Sequence, residues 1–412
     1  MTDSRRPLDG IRVLDFTRVF AGPAATQVLG DLGAEVVKVE EPGRGDEART
    51  LGTTPESLER HGASASFLAF NRNKHSLVLD LRSAAGLAVA RRLAARADVV
   101  VHNFRPGAME KWGLDWESLR NVNPRLVHCS FSAYGESGPL RDVGANDLAL
   151  QAHGGLMSVT GEADRPPVRC GSAIIDLHGG MSMVSAILAA LLHRERTGEG
   201  QAVETSLLRA SAHLMSYMYT EYWLDGTVRK PMGTANHLSV PNQVVPTKDG
   251  SVVIIAPSDE MWRRCARALD AERLDRPEFA TAMERRLRRD EVIGTLADVT
   301  GAMTSDAVVA ALAPVKVNVA KVNSVGEAAD DAQLAAIGGT LDFHYAGAAV
   351  RAVASPFGMS ASPPRLDVPP PGLGADTEIV LLKAGFAEAE IARLRSDGAF
   401  GHEADAAVAV KK

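Results

Sequence analysis

The chain has 412 residues and a formal net charge of -6, with 45% hydrophobic and 23% charged residues. This length exceeds the range in which a single hydrophobic core keeps growing, so a large domain and a smaller one are expected. Without an excess of basic residues, nucleic acid and anionic membrane surfaces are poor partners. The N-terminus has no apolar signal region, and the most apolar run, residues 181–192, is too short to cross a bilayer. We therefore expect a cytoplasmic protein.

The first half of the chain alternates short apolar runs with helical patterns. The runs predicted to form strands cover residues 11–16, 35–40, 76–81, 97–104 and 125–131. They are apolar on both faces and are separated by amphipathic helices, which favours a mainly parallel sheet covered on each side. The predicted fold class is α/β, with a doubly wound, Rossmann-like architecture.

The second half begins with a long predicted helix, 177–196, which follows Asp176 and ends at the glycines of "TGEG". A further helical pattern covers 206–224. After "GTVRKPMGTANHLSVPNQ" the pattern changes to "GSVVIIAPSDEMWRRCARAL" (250–269), a strand and a helix that start a smaller α/β unit running to about residue 325. A proline-rich stretch, "ASPPRLDVPPPGLGAD", then predicts an extended linker before two short C-terminal helices.

The three cysteines offer no site of their own. Cys129, Cys170 and Cys265 are odd in number and far apart, and they form neither a CxxC motif nor a zinc pattern with histidine. We expect a reducing compartment and no metal site.

Two loops follow predicted strands, at the sheet edge where open α/β folds bind ligands. The loop "TRVFAGP" (17–23) has no GxGxxG or Walker pattern, and its Gly-Pro pair favours a tight turn over a ligand loop. In "NFRPGAMEKWG" (103–113), Asn103 and Arg105 suit phosphates or a ribose, and Phe104 suits a base. A polar loop with a buried phenylalanine is an equally good interpretation of the second loop.

Asp176 stands at the start of the long helix, where an aspartate is more often an N-cap than a catalyst. The neighbouring His178 is likewise more typical of a local structural histidine. No GxSxG elbow, HExxH motif or cysteine in an activating context is present. If the protein is an enzyme, a carboxylate nucleophile or base is therefore the leading candidate.

Several blocks of the chain, taken together, resemble one family. They are "PLDGIRVLDFTRVFAGPAATQVLGDLGAEVVKVEEPGRGDEAR", "FNRNKHSLVLDL", "ADVVVHNFRPGAMEKWGL", "NPRLVHCSFSAYGESGPLRD", "GGLMSVTGEADRPPVRCGSAIIDLHGGM", "LLHRERTGEGQAVETSLL" and "GADTEIVLLKAGFAEAEIARLRSDGAF". Their content and order resemble the family III CoA-transferases, which include formyl-CoA and carnitine CoA-transferases and α-methylacyl-CoA racemase. The resemblance extends from residue 7 to about residue 400.

The resemblance implies an interlocked homodimer in which each subunit threads through the other. It implies a large Rossmann-like CoA-binding domain that begins with residues 1–225, a small domain over 226–325, and a C-terminal segment, 326–412, that returns to the large domain. The active site is expected between the two domains. Coenzyme A and acyl-CoA act as substrates, and no permanently bound cofactor is implied.

The resemblance also implies that Asp176, in "IIDLHGGM", is the nucleophile that carries acyl and CoA groups in turn. The reaction would move CoA from an acyl-CoA donor to a carboxylic acid, with dicarboxylates among the candidates. Positions that match the family's CoA contacts are Val19, Phe20, Ala21, Leu79, Arg82, Asn103, Phe104, Arg105, Ala108 and Lys111.

Several positions depart from individual branches of the family. Relative to the formyl-CoA branch, Phe20 replaces glutamine, Glu41 replaces arginine and Gly144 replaces lysine. Formate and oxalate are therefore poor candidate substrates. The proton-transferring histidine of the racemases corresponds to Asn146 here, so a 2-methylacyl-CoA racemase is the second interpretation. A non-catalytic acyl-CoA-binding protein, in which Asp176 is only a cap, is the third.

Overall fold

The computed structural model describes residues 5–401, which fold into two compact units. Within that range, the first unit comprises residues 5–154, 170–223 and 336–401, and the second comprises 155–169 and 224–335. The domain ranges expected from the sequence stay a prediction.

The strands are β1 (Arg12–Asp15), β2 (Glu35–Glu40), β3 (Lys74–Val78), β4 (Val99–His102), β5 (Val127–Ser132), β6 (Gln201–Ser206), β7 (Asn242–Pro246), β8 (Ser251–Ile255), β9 (Asn318–Lys321), β10 (Thr340–Tyr345) and β11 (Ala348–Val353). The α-helices are α1 (Ala21–Asp31), α2 (Pro55–His61), α3 (Ala65–Phe70), α4 (Ala84–Ala94), α5 (Ala108–Trp112), α6 (Trp116–Leu119), α7 (Asp147–His153), α8 (Ile174–Thr197), α9 (Leu207–Leu214), α10 (Ser216–Asp225), α11 (Asp259–Ala268), α12 (Ala282–Leu287), α13 (Arg289–Thr300), α14 (Ser305–Leu312), α15 (Val325–Ala329), α16 (Ala332–Ala336), α17 (Thr377–Lys383) and α18 (Glu388–Ser396).

The first unit is built on a six-stranded sheet with the order β3-β2-β1-β4-β5-β6, in which every neighbouring pair is parallel. This is the strand order of the doubly wound Rossmann fold, so the predicted α/β class with a central parallel sheet is confirmed. The sequence analysis missed β6. Half-buried and exposed residues alternate along this edge strand, so it lacks the continuous apolar run by which the inner strands were found.

Alternate residues of the inner strands supply the cores on the two faces of this sheet. Val13 and Val99 join one core with α1, α8 and α9, whereas Leu14 and Val100 join the other with α4 and the two C-terminal helices. Val380 and Leu381 of α17 are buried in that second core. The C-terminal segment therefore packs onto the sheet that the N-terminal half forms.

Helix α8, in residues 174–197, is the one helix among the described residues that is long and apolar enough to span a membrane. Met183, Val184 and Ile187 of this helix are buried in the core beside the sheet. This side of α8 therefore belongs to the core of the first unit.

The second unit has its own antiparallel sheet, in the order β7-β8-β9. Its core collects Val252 and Ile254 of β8, Trp262 of α11 and Leu296 of α13. The strand and helix predicted after residue 250 are thus present.

Candidate active site

A cavity of about 310 Å³ opens at the carboxyl ends of β1, β4 and β5 in the first unit. The sheet order reverses beside β1, because β2 lies on one side of it and β4 on the other. Ligands of open α/β folds bind at such a switch point. The lining residues are Arg18, Val19, Phe20, Ala21, Asn103, Phe104, Arg105, Pro106, Phe131, Ser132, Ala133, Arg141, Val143, Gly144, Ala145, Asn146, Asp176 and Leu207.

Among residues 5–401, Asp176 is the only acidic residue in that lining, and the structure corrects its expected role as the helix cap. Helix α8 begins at Ile174, three residues earlier than predicted, so Asp176 lies within its first turn. The cap residue, Ala173, makes no side-chain cap bond. Asp147 satisfies the exposed N–H groups instead, because its carboxylate accepts those of Ile175 at 2.8 Å and Asp176 at 3.1 Å. The Asp176 carboxylate therefore does not serve as the cap of α8.

The environment of Asp176 favours the protonated acid. Burial first, and then the nearby carboxylate of Asp147, raise the pKa of Asp176 to about 7. A carboxylate that is poorly stabilised by its surroundings binds protons, and other electrophiles, more readily than an exposed one. The side chain is thus about half ionised near neutral pH and more basic than an ordinary aspartate.

The two glycines that follow Asp176 let other cavity elements approach α8. A Cβ on Gly180 would lie 2.6 Å from the backbone oxygen of Ala21, and one on Gly179 would lie 2.6 Å from the ring of Phe131. Both distances are shorter than side chains tolerate. Glycine at these two positions therefore brings the start of α1 and the end of β5 beside the turn that carries Asp176.

The β1–α1 loop on the same cavity is strained and firmly held. Val19 adopts φ = 71°, a left-handed conformation that is unusual for a β-branched residue and costs on the order of 1–3 kcal/mol. Its N–H donates to Asp46 at 3.0 Å, and the buried ammonium of Lys38 donates to Asp46 at 2.7 Å and to the Thr17 carbonyl at 2.8 Å. The buried ion pair thus fixes the loop on two sides.

Six of the ten predicted CoA contacts come together with Asp176. They are Val19, Phe20, Ala21, Asn103, Phe104 and Arg105. Ala108 and Lys111 line a neighbouring cavity of about 430 Å³, which also includes Arg105. Arg105 therefore belongs to both cavities and links them.

Leu79 and Arg82 are absent from the linings of these two cavities. Leu79 is buried in the core of the first unit, so its side chain faces away from solvent. Arg82 is exposed and lies 3.0 Å from Asp80 and 3.7 Å from Glu41, measured between charged atoms. Their assignment to CoA binding stays a prediction.

Phe104 already has several partners within the protein. Its ring makes a T-shaped contact with Trp112 and a stacked contact with His102, and the guanidinium carbon of Arg18 lies 5.1 Å from its centroid. The ring is half-buried rather than displayed. A base that stacks on Phe104 would have to share the ring with Arg18.

Residues that the sequence analysis left without a role also shape this cavity. Arg18 and Arg141 add positive charge to it, and Asp147 caps the helix beneath it. Asn146 caps α7, since its side-chain oxygen accepts the N–H of Ala149 at 3.2 Å. A Cβ at Gly144 would lie 2.6 Å from Nη2 of Arg105, so the missing side chain leaves room for that guanidinium.

Comparisons with known proteins identify the family of the chain. Residues 8–377 match the family described as CoA-transferase family III. The chain belongs to this family. It is 37% identical over 385 residues to the succinate–glutarate CoA-transferase of Agrobacterium fabrum, which covers 92% of this chain and 96% of the relative.

A second relative of this family III CoA-transferase is the succinyl-CoA–L-malate CoA-transferase alpha subunit of Chloroflexus aurantiacus. The two are 33% identical over 395 residues, which cover 95% of this chain and 92% of the relative. This chain superposes on the crystal structure of a CaiB/BaiF family protein from Brucella suis with a TM-score of 0.83 and 34% sequence identity. The superposition covers 92% of this chain and 100% of the Brucella suis chain. The protein is accordingly an enzyme that uses CoA thioesters as substrates.

Proposed function

We propose that this family III CoA-transferase moves CoA from a donor such as succinyl-CoA to a dicarboxylic acid, with Asp176 as the covalent nucleophile. The observation that supports this most directly is the position of Asp176 in a cavity that it shares with Arg18, Arg105 and Arg141. Its carboxylate has a raised pKa, and Asp147 caps the helix in its place. That cavity offers a nucleophile together with cations for acidic substrates.

The proposed reaction has four balanced steps. A carboxylate oxygen of Asp176 attacks the thioester carbon, the C–S bond breaks, and CoA thiolate leaves an aspartyl acyl anhydride. The thiolate attacks the aspartyl carbonyl, which gives an aspartyl-CoA thioester and releases the donor acid. The acceptor carboxylate attacks this thioester to form a second anhydride and free thiolate. Thiolate then attacks the acceptor carbonyl, which yields the new CoA ester and regenerates Asp176.

The first turn of α1 is suited to stabilise the negative charge that forms on each carbonyl oxygen. The N–H groups of Ala21 and Gly22 have no acceptor within the helix, and Phe20 and Ala21 at its start line the cavity with Asp176. Donors held in place before the reaction stabilise an oxyanion without reorganisation. Asp46 and Lys38 would contribute indirectly, by fixing the loop from which this helix starts.

The dicarboxylate class is supported by the charge of the cavity and by the named relatives. Three arginines line the cavity beside a single carboxylate, so anionic substrates gain more there than neutral ones. The relatives described above are named for succinate, glutarate and L-malate, which are dicarboxylates.

The racemase alternative finds less support. It needs a second proton-transferring group opposite Asp176, and histidine is the side chain best suited to that role near neutral pH. The described lining of the cavity includes no histidine. Of the two candidates near Asp176 in sequence, His153 contacts Tyr134, and His178 lies 2.9 Å from a ring nitrogen of His213.

We further propose that the enzyme acts as an interlocked homodimer in the cytoplasm. Support for the homodimer comes from the family membership alone. The name of one relative, by contrast, describes that protein as an alpha subunit. Size-exclusion chromatography with light scattering tests the dimer.

The covalent role of Asp176 is tested by trapping. Hydroxylamine added together with succinyl-CoA should inactivate the enzyme and convert Asp176 to a hydroxamate, which peptide mass spectrometry locates. Omission of the donor is the control and should leave Asp176 unmodified. Asp176→Asn, which keeps the side-chain shape, should lose transfer while its circular dichroism stays unchanged. An active Asp176→Asn variant, or no donor-dependent adduct at Asp176, refutes the proposal.

A further inference from the structure

The three arginines that line the cavity of Asp176 differ in their other contacts. Arg105 is exposed and also lines the neighbouring cavity with Lys111. Arg141 lies 3.5 Å from the carboxylate of Asp142. Arg18 is half-buried and lines the cavity of Asp176, and within residues 5–401 its guanidinium has no carboxylate partner. A half-buried cation without a counterion is unfavourable unless a ligand supplies one.

The backbone of Arg18 is held more firmly than that of an ordinary surface loop. The side chain of Asn103 makes two hydrogen bonds to the backbone of Arg18. It accepts the Arg18 N–H at 2.9 Å and donates to the Arg18 carbonyl at 2.8 Å. The next residue, Val19, is the strained one that Asp46 fixes. Strain of this kind persists where the surrounding structure imposes it, often at ligand sites.

The guanidinium itself is also oriented, since it lies over the ring of Phe104 at 5.1 Å from the centroid. Such a contact leaves the edge of the guanidinium, with its N–H groups, open to an acceptor. Arg18 therefore presents a preorganised fork of donors to the cavity that holds the nucleophile. Such a fork suits a carboxylate, which accepts two parallel hydrogen bonds.

We propose that Arg18 binds the carboxylate of the dicarboxylic acid that does not react, while the other carboxylate meets Asp176, and that Arg18 thereby selects dicarboxylates over monocarboxylates. The inference rests on the proposed transfer through Asp176. A monocarboxylic acid of the same length would leave the guanidinium without a counterion, and sites built around such a bond discriminate strongly against ligands that lack it.

A competition assay tests this selection independently of the donor. Glutarate and valerate are matched in chain length and differ in one terminal carboxylate. Both are offered at equal concentration with succinyl-CoA, and the ratio of the two CoA esters, read by mass spectrometry, gives the ratio of their kcat/KM values. Wild type should favour glutaryl-CoA. Arg18→Gln should lower that ratio by about 10- to 100-fold, the range for a lost charge-assisted hydrogen bond.

Two further variants sharpen the comparison. Arg18→Lys keeps the charge but not the fork, so the ratio should fall less than in Arg18→Gln; if Arg18→Gln makes too little product, this variant carries the test. Arg120→Gln, at an exposed position directly after α6 and beside Glu117, should leave the ratio at its wild-type value. The affinity for free CoA is measured by calorimetry in the same Arg18 variants, so that an effect on CoA binding is separated from the ratio of the two acids.

The possible failures are separable. If wild type forms no CoA ester from any acid, the proposed function itself is wrong. If wild type transfers CoA but shows no preference for glutarate, or if the Arg18 variants keep the wild-type ratio, only the role of Arg18 is wrong. Weaker CoA binding with an unchanged ratio would make Arg18 a phosphate contact instead.

Discussion

The Asp147 carboxylate accepts the backbone N–H of Asp176 at 3.1 Å, which places two aspartates at the start of one helix. Their roles differ because Asp147 is buried against backbone donors, whereas the carboxylate of Asp176 lines the cavity. Asp147 also accepts a hydrogen bond from the side chain of Gln151. The charge of Asp147 is thus one cause, after burial, of the raised pKa of Asp176.

Asp147→Asn should shift the pH profile of transfer. In the proposed mechanism the attacking form of Asp176 is the ionised one, so wild-type kcat/KM should rise with pH through about 7. Asparagine still accepts the helix N–H groups but removes the negative charge, so the rise should move to lower pH. The shift should be partial, because burial is the larger cause of the raised pKa of Asp176. Kinetics between pH 5 and 9 measure it.

Glu117→Gln is the control for this measurement, since it removes a carboxylate from the exposed surface of α6. Its profile should overlay the wild-type profile. An Asp147→Asn profile that also overlays wild type would contradict the electrostatic coupling of the two aspartates.

Asp176 itself was accessible to sequence analysis, but its surroundings were not. The block "IIDLHGGM" and the lack of other nucleophile patterns pointed to this residue. The start of α8 was misplaced because the capping group, Asp147, lies 29 residues earlier in the chain, and local rules search for a cap beside the helix. A cap supplied by another helix leaves no local signal.

The same limit explains why Arg18 had no assigned role. In sequence it is one arginine in a strand-to-helix turn, and its neighbours favour a structural interpretation. Asn103, after β4, binds the backbone of Arg18, and Asp46, after β2, binds the N–H of the next residue, Val19. Only the parallel order of the sheet brings these three segments together. The fold class, by contrast, depends on local apolar patterns and was readable from them.

Asp176→Asn should change stability in a pH-dependent way. The pKa of Asp176 is raised in the folded protein, so the folded state binds the proton more tightly than the unfolded state between about pH 4 and 7. Wild type therefore loses the stabilisation from this residue as pH rises through about 7. The neutral asparagine avoids that loss. The melting temperature of Asp176→Asn should exceed that of wild type at pH 8, and the difference should shrink towards pH 5.

Thermal unfolding followed by circular dichroism at several pH values checks this expectation. A difference between the two proteins that is independent of pH would mean that the Asp176 carboxylate is ionised equally in the folded and unfolded states.

Gly180→Ala should damage the site through the packing of α1 on α8. The added methyl group would lie 2.6 Å from the backbone oxygen of Ala21, so the two helices must separate. Overpacking of this kind costs about 1–3 kcal/mol of folding free energy. Because Ala21 and Asp176 line the same cavity, kcat/KM should also fall at temperatures where the variant stays folded.

Gly294→Ala is the matched control, since this glycine is also helical but has open space around its Cβ position. Alanine there should leave activity unchanged and stabilise the protein by about 0.5–1 kcal/mol, the difference in helix propensity. Denaturant unfolding of both variants gives the two free energies. Equal effects at the two positions would show that the close approach at Gly180 is tolerated.

Charge reversal in the neighbouring cavity, which Arg105 links to that of Asp176, should weaken CoA binding. Arg105 and Lys111 line it together with Asp142, which pairs with Arg141, and neither cation has a carboxylate partner within residues 5–401, so both are suited to the CoA phosphates. Arg105→Glu and Lys111→Glu should each cost about 1.5–3 kcal/mol of CoA affinity, the range for a charge-assisted hydrogen bond. Arg82→Glu should cost less, because Asp80 and Glu41 already neutralise that arginine. Calorimetric titration with free CoA measures all three.

Salt dependence separates a phosphate contact from a structural effect in these variants. Contacts between exposed charges weaken as salt screens them, so the deficit of Arg105→Glu and Lys111→Glu relative to wild type should shrink as ionic strength rises. A deficit caused by local misfolding would persist at high salt. Arg120→Glu changes the net charge equally but lies directly after α6, outside the linings of both cavities, and should bind CoA as wild type does. If CoA affinity is unchanged in Arg105→Glu, Lys111→Glu and Arg82→Glu, the phosphates bind elsewhere on the molecule.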